Sequence, residues 1–435
     1  MGERDAFFSR CSEVRGTALS YSNPLIINHF DCDGLTSGAI VKIALSEAGK
    51  NAKMLTVKKL DGNVLAEAKA HKGEVIFVDL AGACKEVDEI KDVIILDHHQ
   101  TEGGKTLQIN PHLFGFDGGD EISSSGVAYF TFKMRVDLGV VGAVGDMQYP
   151  LIGLNREMLE EGIASGDVKC EQNLRLYGRG SRPLQQMLEY ADEPFLPGLT
   201  GNSEACKSFL EQSGLGGAPA STSFYELSQA KQLSLINFLV SHMAERGHEK
   251  TAKSLIGEVY TFPKNDIKTE MYDASEFSTL LNACGRNAKA ELGISVCTGE
   301  FGAYAQASSL LATHRKNLRE GMKFLSQNRQ DFGKFYFLDA RGAIADGIVG
   351  VVAGMGLTSA AKKPIFAIAT DENGAIKVSS RANASLVKAG LNLGMVLKAA
   401  CEKCGGAGGG HRIAAGATIP KGQLDCFLCE LNKLL

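Results

Sequence analysis

Carboxylates and imidazoles stand at the ends of apolar runs in this 435-residue sequence. In "NHFDCDG", His29, Asp31 and Asp33 alternate with other residues directly after the run "PLIINHF" (24–30). Asp79 closes "EVIFVDL" (74–80), Asp97, His98 and His99 close "DVIILDHH" (92–99), and Asp146 ends "GAVGD". In an extended chain, a spacing of two points His29, Asp31 and Asp33 to one side. A lone Asp after a strand is ordinarily a turn or a helix cap. Four such segments together instead predict one site, because open α/β sheets bind ligands at the carboxyl ends of their strands. That much negative charge in a cleft requires a cation. Carboxylates with imidazoles and no organised thiolate suit Mn²⁺ or Mg²⁺ better than structural zinc. Two ions about 3.5–4 Å apart, bridged by a carboxylate, would activate a water between them for in-line attack on phosphorus.

The elements that must position these residues are legible as patterns. "PLIINHF", "AKMLTV" (52–57), "EVIFVDL" and "DVIILDHH" read as four strands, nearly continuous in hydrophobics as strands covered on both faces should be. "GLTSGAIVKIALSEAGK" between the first two has helical spacing and ends at a C-cap-like Gly49. Strand, helix, strand in repetition predicts an α/β fold with a doubly wound, mainly parallel sheet. "SSSGVAYFTFKMRV" (123–136) starts a further helix on a serine cap, and "VDLGVVGAVGDMQ" (136–148) follows as a buried helix or strand. From about 150 to 250 the chain reads as helical, with "RPLQQMLEYADEPF" and "YELSQAKQLSLINFLVSHMAERG" as helices and "NSEACKSFLEQSGLGGAPASTS" (202–223) as a surface loop. A second α/β region opens with "LIGEVYTF" and continues through the helical "ASEFSTLLNACGR", "KFYFLDARG", "GIVGVVAGMG" and "PIFAIATDENGAIKVSSRAN" to a glycine-rich close. The expected domains are residues 1–165, a helical connector at 166–250, and 251–435.

"HFDCDG", "FVDLAG", "ILDHHQ" and "GAVGDMQ", in this order, resemble motifs I to IV of the DHH phosphoesterase superfamily, and "GGAGGGHRIAAGA" resembles the signature of its DHHA1 domain. "EFSTLLNACGR" and "KVSSRAN" are similar to archaeal RecJ-like exonucleases, including the nuclease that associates with the GINS replication complex. The resemblance implies two Mn²⁺ ions (Mg²⁺ as substitute) in a cleft between the lobes. His29 and Asp31 would hold one ion, Asp33, His98 and Asp146 the other, and Asp79 would bridge them. Asp97 would orient the histidine pair and His99 would face the scissile phosphate. Which of the adjacent histidines takes the ion stays open at this point.

In the glycine-rich close, Gly408, Gly409 and Gly410 remove side chains so that backbone N–H groups can approach an anion, and His411 and Arg412 add donors. By the resemblance this stretch clamps substrate phosphate, with Arg381 of "SSRAN" as a second grip. Asn282 and Arg286 of "LLNACGR" are candidate nucleic-acid contacts, and Tyr149 either stacks on a terminal base or packs. Cys401-x-x-Cys404 and Cys426-x-x-Cys429 have the spacing of a zinc ribbon. Their helical surroundings favour core thiols instead.

Composition fits a soluble globular protein: 44% hydrophobic, 22% charged, net charge −4. Any surface for nucleic acid must therefore be local. Eleven cysteines without an export signal in "MGERDAFFSRCSEVRG" predict reduced thiols in the cytoplasm, and no apolar run reaches the roughly 18 residues of a membrane span. The expected activity is single-strand-specific exonucleolysis of DNA or RNA in replication or repair, with GINS and the replicative helicase as partners. The alternatives are a phosphodiesterase for very short or cyclic oligonucleotides and a non-catalytic replication scaffold bound to GINS.

Overall fold

Strands that are apolar at every position need cover on both faces. In the computed structural model, which describes residues 2–191, 194–357, 361–371 and 374–435, they receive it. Asp192 and Glu193 of the expected helical tract, and Glu372 and Asn373 of "PIFAIATDENGAIKVSSRAN", lie outside the described residues. The chain forms two compact units, the first ending at Ser309 and the second running from Leu310 to Leu435.

The first unit opens with α1 (Glu3–Ser20), β1 (Leu25–His29), α2 (Cys32–Glu47), β2 (Lys53–Val57), α3 (Gly62–Ala70), β3 (Val75–Val78), β4 (Val93–Leu96), β5 (Leu107–Ile109), α4 (Ser124–Phe132), α5 (Val136–Gly145) and α6 (Gly153–Ala164). The sheet order is β2-β1-β3-β4-β5 with every neighbouring pair parallel. The order reverses between β1 and β3, the switch point at which such sheets open a crevice at their carboxyl ends. Leu25, Ile27, Val75, Phe77, Val93 and Ile95 pack with Ala68 of α3 in one core. The alternate residues Ile26, Ile76, Ile94 and Leu96 are fully buried on the opposite parity, where α2 packs on β1.

The rest of this unit is β6 (Lys169–Leu174), α7 (Leu184–Glu189), α8 (Ser203–Gln212), α9 (Gln229–Glu245), α10 (Glu249–Ser254), β7 (Ile256–Thr261), α11 (Ala274–Arg286) and α12 (Ala290–Cys297). The tract expected as a loop from 202 to 223 begins as helix α8. Its Cys206, Phe209 and Leu210 recur on one face and are buried, and the Asn202 side chain caps it by accepting from the Ala205 N–H. The expected start of the C-terminal domain at 251 also shifts. β7 pairs antiparallel with β6, and α11 and α12 pack on α5 and α2, so residues 251–309 fold with the first unit.

The boundary between units falls within α13 (Ala303–Asn328), which is followed by β8 (Gln330–Asp331), β9 (Tyr336–Asp339), α14 (Asp346–Met355), β10 (Ile365–Thr370), β11 (Ile376–Arg381), α15 (Ala384–Lys388), α16 (Leu393–Lys403), β12 (Ala407–Gly410), β13 (Ala414–Ile419) and α17 (Leu424–Leu434). Its mixed sheet runs β12-β13-β11-β10-β9-β8. Leu397 and Phe427 of α16 and α17 join one core, while Val349 and Val352 of α14 join another. Gly408–Gly410 of the glycine-rich segment form the edge strand β12, paired with β13. One expectation changes here. Cys404 and Cys426 form a disulfide tying the end of α16 to α17, with Cys401 buried and Cys429 exposed. The core-thiol reading holds for Cys401, which is free and packed in the core, and gives way to the disulfide for Cys404 and Cys426. No helix among the described residues is long and apolar enough to cross a membrane.

Candidate metal centre

The first ligand segment is a strand-to-helix turn, not a strand. β1 stops at His29, Asp31 caps α2 by accepting from the Gly34 N–H at 3.1 Å, and Asp33 lies inside the first helical turn. Only glycine fits at 34, because a Cβ there would meet the His29 carbonyl at 2.4 Å. The turn overturns the expectation of one shared side, because the chain rotates between the two acids. His29 and Asp31 face one another at 3.0 Å, whereas Asp33 turns into the fold and accepts from the Ser124 and Ser125 N–H groups at 2.7 and 2.9 Å. Those donors are the first turn of α4, and a helix N-terminus stabilises an anion.

Asp79 follows β3 at φ +62°, Ala81 has φ +80°, and Met147 has φ +65° beside Asp146. Left-handed backbone in non-glycine residues costs on the order of 1–3 kcal/mol each and marks functional loops. Of the two alternatives for residues 136–148 the helix is the one formed, so Asp146 comes from the C-cap of α5 and not from a strand end. Asp97 is fully enclosed. One of its oxygens accepts from the His98 and His99 N–H groups and from His99 Nδ1 at 2.7 Å, and the other accepts from the Gly82 N–H.

The structure brings His29, Asp31, Asp33, Asp79, Asp97, His98, His99 and Asp146 together. Three groups place their ligand atoms within 4.8 Å of one another: His29 with Asp31 and Asp79, Asp33 with His98 and Asp146, and Asp79 with His98 and His99. Asp79 Oδ2 lies 3.3 Å from His29 Nδ1, and Asp79 Oδ1 lies 3.4 Å from His98 Nε2. His98 Nδ1 donates to the Gly118 carbonyl at 2.7 Å, which leaves Nε2 as the nitrogen that faces Asp79 and Asp33. His99 is tied through Nδ1 to Asp97 and half-exposed. Of the two histidines, His98 enters two of the three groups and His99 one.

Without metal the site holds its charge by sharing protons. Burial, reinforced by the charge of Asp79, raises Asp33 to about 7, and burial likewise raises Asp146 to about 6. Burial works against Asp79 too, but the bonds from His29 and His98 hold it far below the usual carboxylate range. His29 rises to about 11 because Asp31 and Asp79 outweigh its desolvation, and His98 rises well above its ordinary value. Imidazolium charge thus stands where a divalent cation would. His29 Nδ1 is buried between two carboxylates, 3.0 Å from Asp31 and 3.3 Å from Asp79, at a place where a cation would replace its proton. This donor set fits a pair of hard or borderline divalent ions.

Sequence reasoning missed three contributors. Ser124 Oγ donates to Asp79 at 2.9 Å, Gln148 Nε2 donates to Asp146 and to the Gly118 carbonyl, and Gly118 itself receives His98. The "SSSG" cap carried the usable signal, since a helix start is a ready anion site. Other candidates resolve differently. Asn282 is not turned to a ligand: its Oδ1 accepts from the Cys32 N–H at 3.0 Å. Arg286 is half-buried, with burial lowering its pKa against the pull of Asp31. The guanidinium of Arg175 lies 4.4 Å over the Tyr149 ring, so this ring packs. In the second unit Arg381 lies opposite Ala414 in the β11–β13 register, beside the turn that exposes His411 and Arg412.

Residues 334–435 match the DHHA1 domain and residues 176–256 the DHH-CID domain. An uncharacterized protein of Methanocaldococcus jannaschii is 29% identical over 428 residues, covering 94% of this chain and 92% of that protein. RecJ from Thermus thermophilus in complex with Mn²⁺ superposes with a TM-score of 0.60 at 17% identity, over 98% of this chain and 54% of that one. This chain therefore spans about half the length of that RecJ, which has also been solved with Mg²⁺. CDC45 from Entamoeba histolytica superposes with a TM-score of 0.65 at 14% identity, over 100% and 99% of the two chains. Two stretches of the chain thus match domain models of DHH-type proteins, and its fold is RecJ-like, closed by a DHHA1 domain.

Proposed function

We propose that this chain is a Mn²⁺-dependent phosphodiesterase, with Mg²⁺ as substitute, that removes nucleotides from an end of single-stranded DNA or RNA in replication or repair. Asp79 carries this reading. Its Oδ2 faces His29 beside Asp31, and its Oδ1 faces His98 beside Asp33, so one buried carboxylate serves two ligand sets. His29 and Asp31 would hold one ion, Asp33, His98 and Asp146 the other, and Asp79 both. When bound, the ions would supply Lewis acidity at the phosphoryl oxygens and acidify a water as nucleophile.

The chain's own residues supply the rest. Asp97 anchors His99 through Nδ1 and raises its pKa, which favours the imidazolium, whose Nε2–H would donate to a non-bridging phosphate oxygen. Ser124 and the α4 N-terminus keep Asp79 and Asp33 in place between turnovers. Arg381, His411, Arg412 and the strand Gly408–Gly410 would hold neighbouring phosphates of the strand. The resemblance of "EFSTLLNACGR" adds GINS as a proposed partner, to be checked by pulldown.

The test is digestion of 5′- and 3′-labelled DNA and RNA single strands with Mn²⁺. Mononucleotides released from one end support the reading. Turnover confined to dinucleotides favours the short-substrate alternative, and no turnover with either ion overturns it.

A further inference from the structure

Helix α11 touches two of the ligand-bearing turns without contributing a ligand. Asn282 Oδ1 accepts the Cys32 N–H, the backbone donor between Asp31 and Asp33. Gly285 lies so near the same turn that a Cβ there would meet the Phe30 carbonyl at 1.9 Å. Ser278 faces Gly145, the residue before Asp146, where an added Cβ would come within 3.4 Å of its side chain. One helix therefore braces the turn of Asp31 and Asp33 and the end of α5 that carries Asp146.

The brace is itself anchored. Asp273 caps α11, accepting from the Ser275 N–H at 2.9 Å, and its other oxygen pairs with Arg179 at 2.5 Å and accepts from Tyr225 at 2.5 Å. Glu276, one turn on and fully buried, accepts from the Gly180 and Ser181 N–H groups at 3.0 and 3.1 Å. Arg179 and Asp273 are both buried, so each needs the other: a buried charge that loses its partner is strongly destabilising. The anchoring residues Arg179–Ser181 lie in the stretch that matches the DHH-CID domain.

We infer that Asn282 is a positioning residue for the metal centre, and that α11, seated by Arg179 and Asp273, sets the separation of the two ligand sets. Asp31 and Asp33 belong to different sets and are two residues apart, so the peptide between them decides how far apart their carboxylates stand. Cys32 N–H has no partner within α2, being in its first turn. Asn282 supplies one and fixes the tilt of that peptide. The inference rests on the two-ion reading, and it gives Asn282 a role other than contact with nucleic acid.

The experiment titrates Mn²⁺ into the full-length metal-free protein and reads free ion by electron paramagnetic resonance. Asn282→Ala should bind Mn²⁺ about tenfold more weakly than wild type, as loss of a group that orients a ligand does. Its metal-free Tm should fall modestly, because the Cys32 N–H is left unpaired in a buried turn, while its KM for single strand at saturating Mn²⁺ should not change. Asn282→Asp, which keeps an acceptor oxygen, should bind at least as tightly as wild type. Unchanged affinity with a raised KM would make Asn282 a substrate contact and overturn the inference. Unchanged affinity with a lowered metal-free Tm would make it structural only, with the same consequence. An Asp variant as weak as the Ala variant would also overturn it. Failure of wild type itself to bind Mn²⁺ would sink the two-ion reading, a result distinct from all of these.

Discussion

The carboxyl edge of the first sheet and the β12–β13 end of the second are built on opposite plans. At the first, Asp33, Asp79, Asp97 and His98 are buried and bonded to backbone N–H groups, a serine hydroxyl or a backbone carbonyl. At the second, His411 and Arg412 are exposed on a hairpin turn beside a strand of glycines. Glycine serves differently in each. Gly34 and Gly82 are forced by packing: a Cβ at 82 would meet Asp97 at 2.7 Å. Gly409 has nothing within 4 Å of where its Cβ would be. A rigid, desolvated ligand cage is what fixed charges near a reacting phosphorus require. An open, cationic edge suits a ligand that arrives, shifts and leaves.

The strongest way to break this contrast is at Asp79. Asp79→Ala removes the carboxylate shared by both ligand sets, and turnover with Mn²⁺ should fall by at least on the order of 10³-fold. Circular dichroism should stay native-like, because the sheet core does not include this side chain. Retained turnover would dissolve the distinction between the two ends. At the other end, Arg412→Ala should raise KM for a long single strand by about tenfold, the scale of one charged hydrogen bond. Mn²⁺ affinity, read by the same titration, should not move. If both variants lower Mn²⁺ affinity alike, the two ends are not separate in function.

Proton release sharpens the first half of the comparison. Ligands must be deprotonated to bind metal. In the metal-free protein Asp33 titrates near 7, Asp146 near 6, and His29 near 11. Raising the pH from 5.5 to 7.5 removes protons from the two acids, so affinity must rise with pH, by roughly tenfold per pH unit for each proton released. His29 stays protonated through that window and gives up its proton only on binding. Calorimetry at pH 7 in buffers of different ionisation enthalpy should therefore find more than one proton released. A pH-independent affinity would mean that these acids are not the ligands.

How much of each end was legible follows the same division. Strands such as "EVIFVDL" and "DVIILDHH" announce themselves, because strands buried on both faces are apolar at every position. The acids at their ends then stand out by type. Asp33 and Asp146 were found as residues and misplaced as geometry: spacing two suggested a strand face, yet Gly34 turns the chain into a helix, and a helix also delivers Asp146. Ser124, Gln148 and Asn282 act through backbone groups or neighbouring side chains, and such bonds leave no periodic trace. The placement of 251–309 depends on β6 pairing with β7 across many residues, a contact that local pattern does not encode. The glycine run was legible as a breaker of ordinary structure, and its capture as an edge strand was not.

The smallest predicted effect is the most discriminating for the second end. Gly409 faces Gly416 across the β12–β13 pair, lies outside the left-handed region, and has open space at its Cβ position. Neither packing nor backbone conformation requires glycine there. Replacing glycine by alanine at such a position stabilises a fold by about 0.4–1 kcal/mol, through loss of freedom in the unfolded chain. Gly409→Ala should thus leave Tm equal or slightly higher and Mn²⁺ affinity unchanged. If the open edge exists for close approach of a phosphate backbone, the added methyl should still raise KM for single strand by a few-fold, about 1 kcal/mol or less. A variant more stable than wild type but poorer at holding substrate would separate ligand approach from folding as the reason for the glycine. If KM stays flat, the strand is an edge and nothing more, and the cationic grip reduces to Arg381, His411 and Arg412.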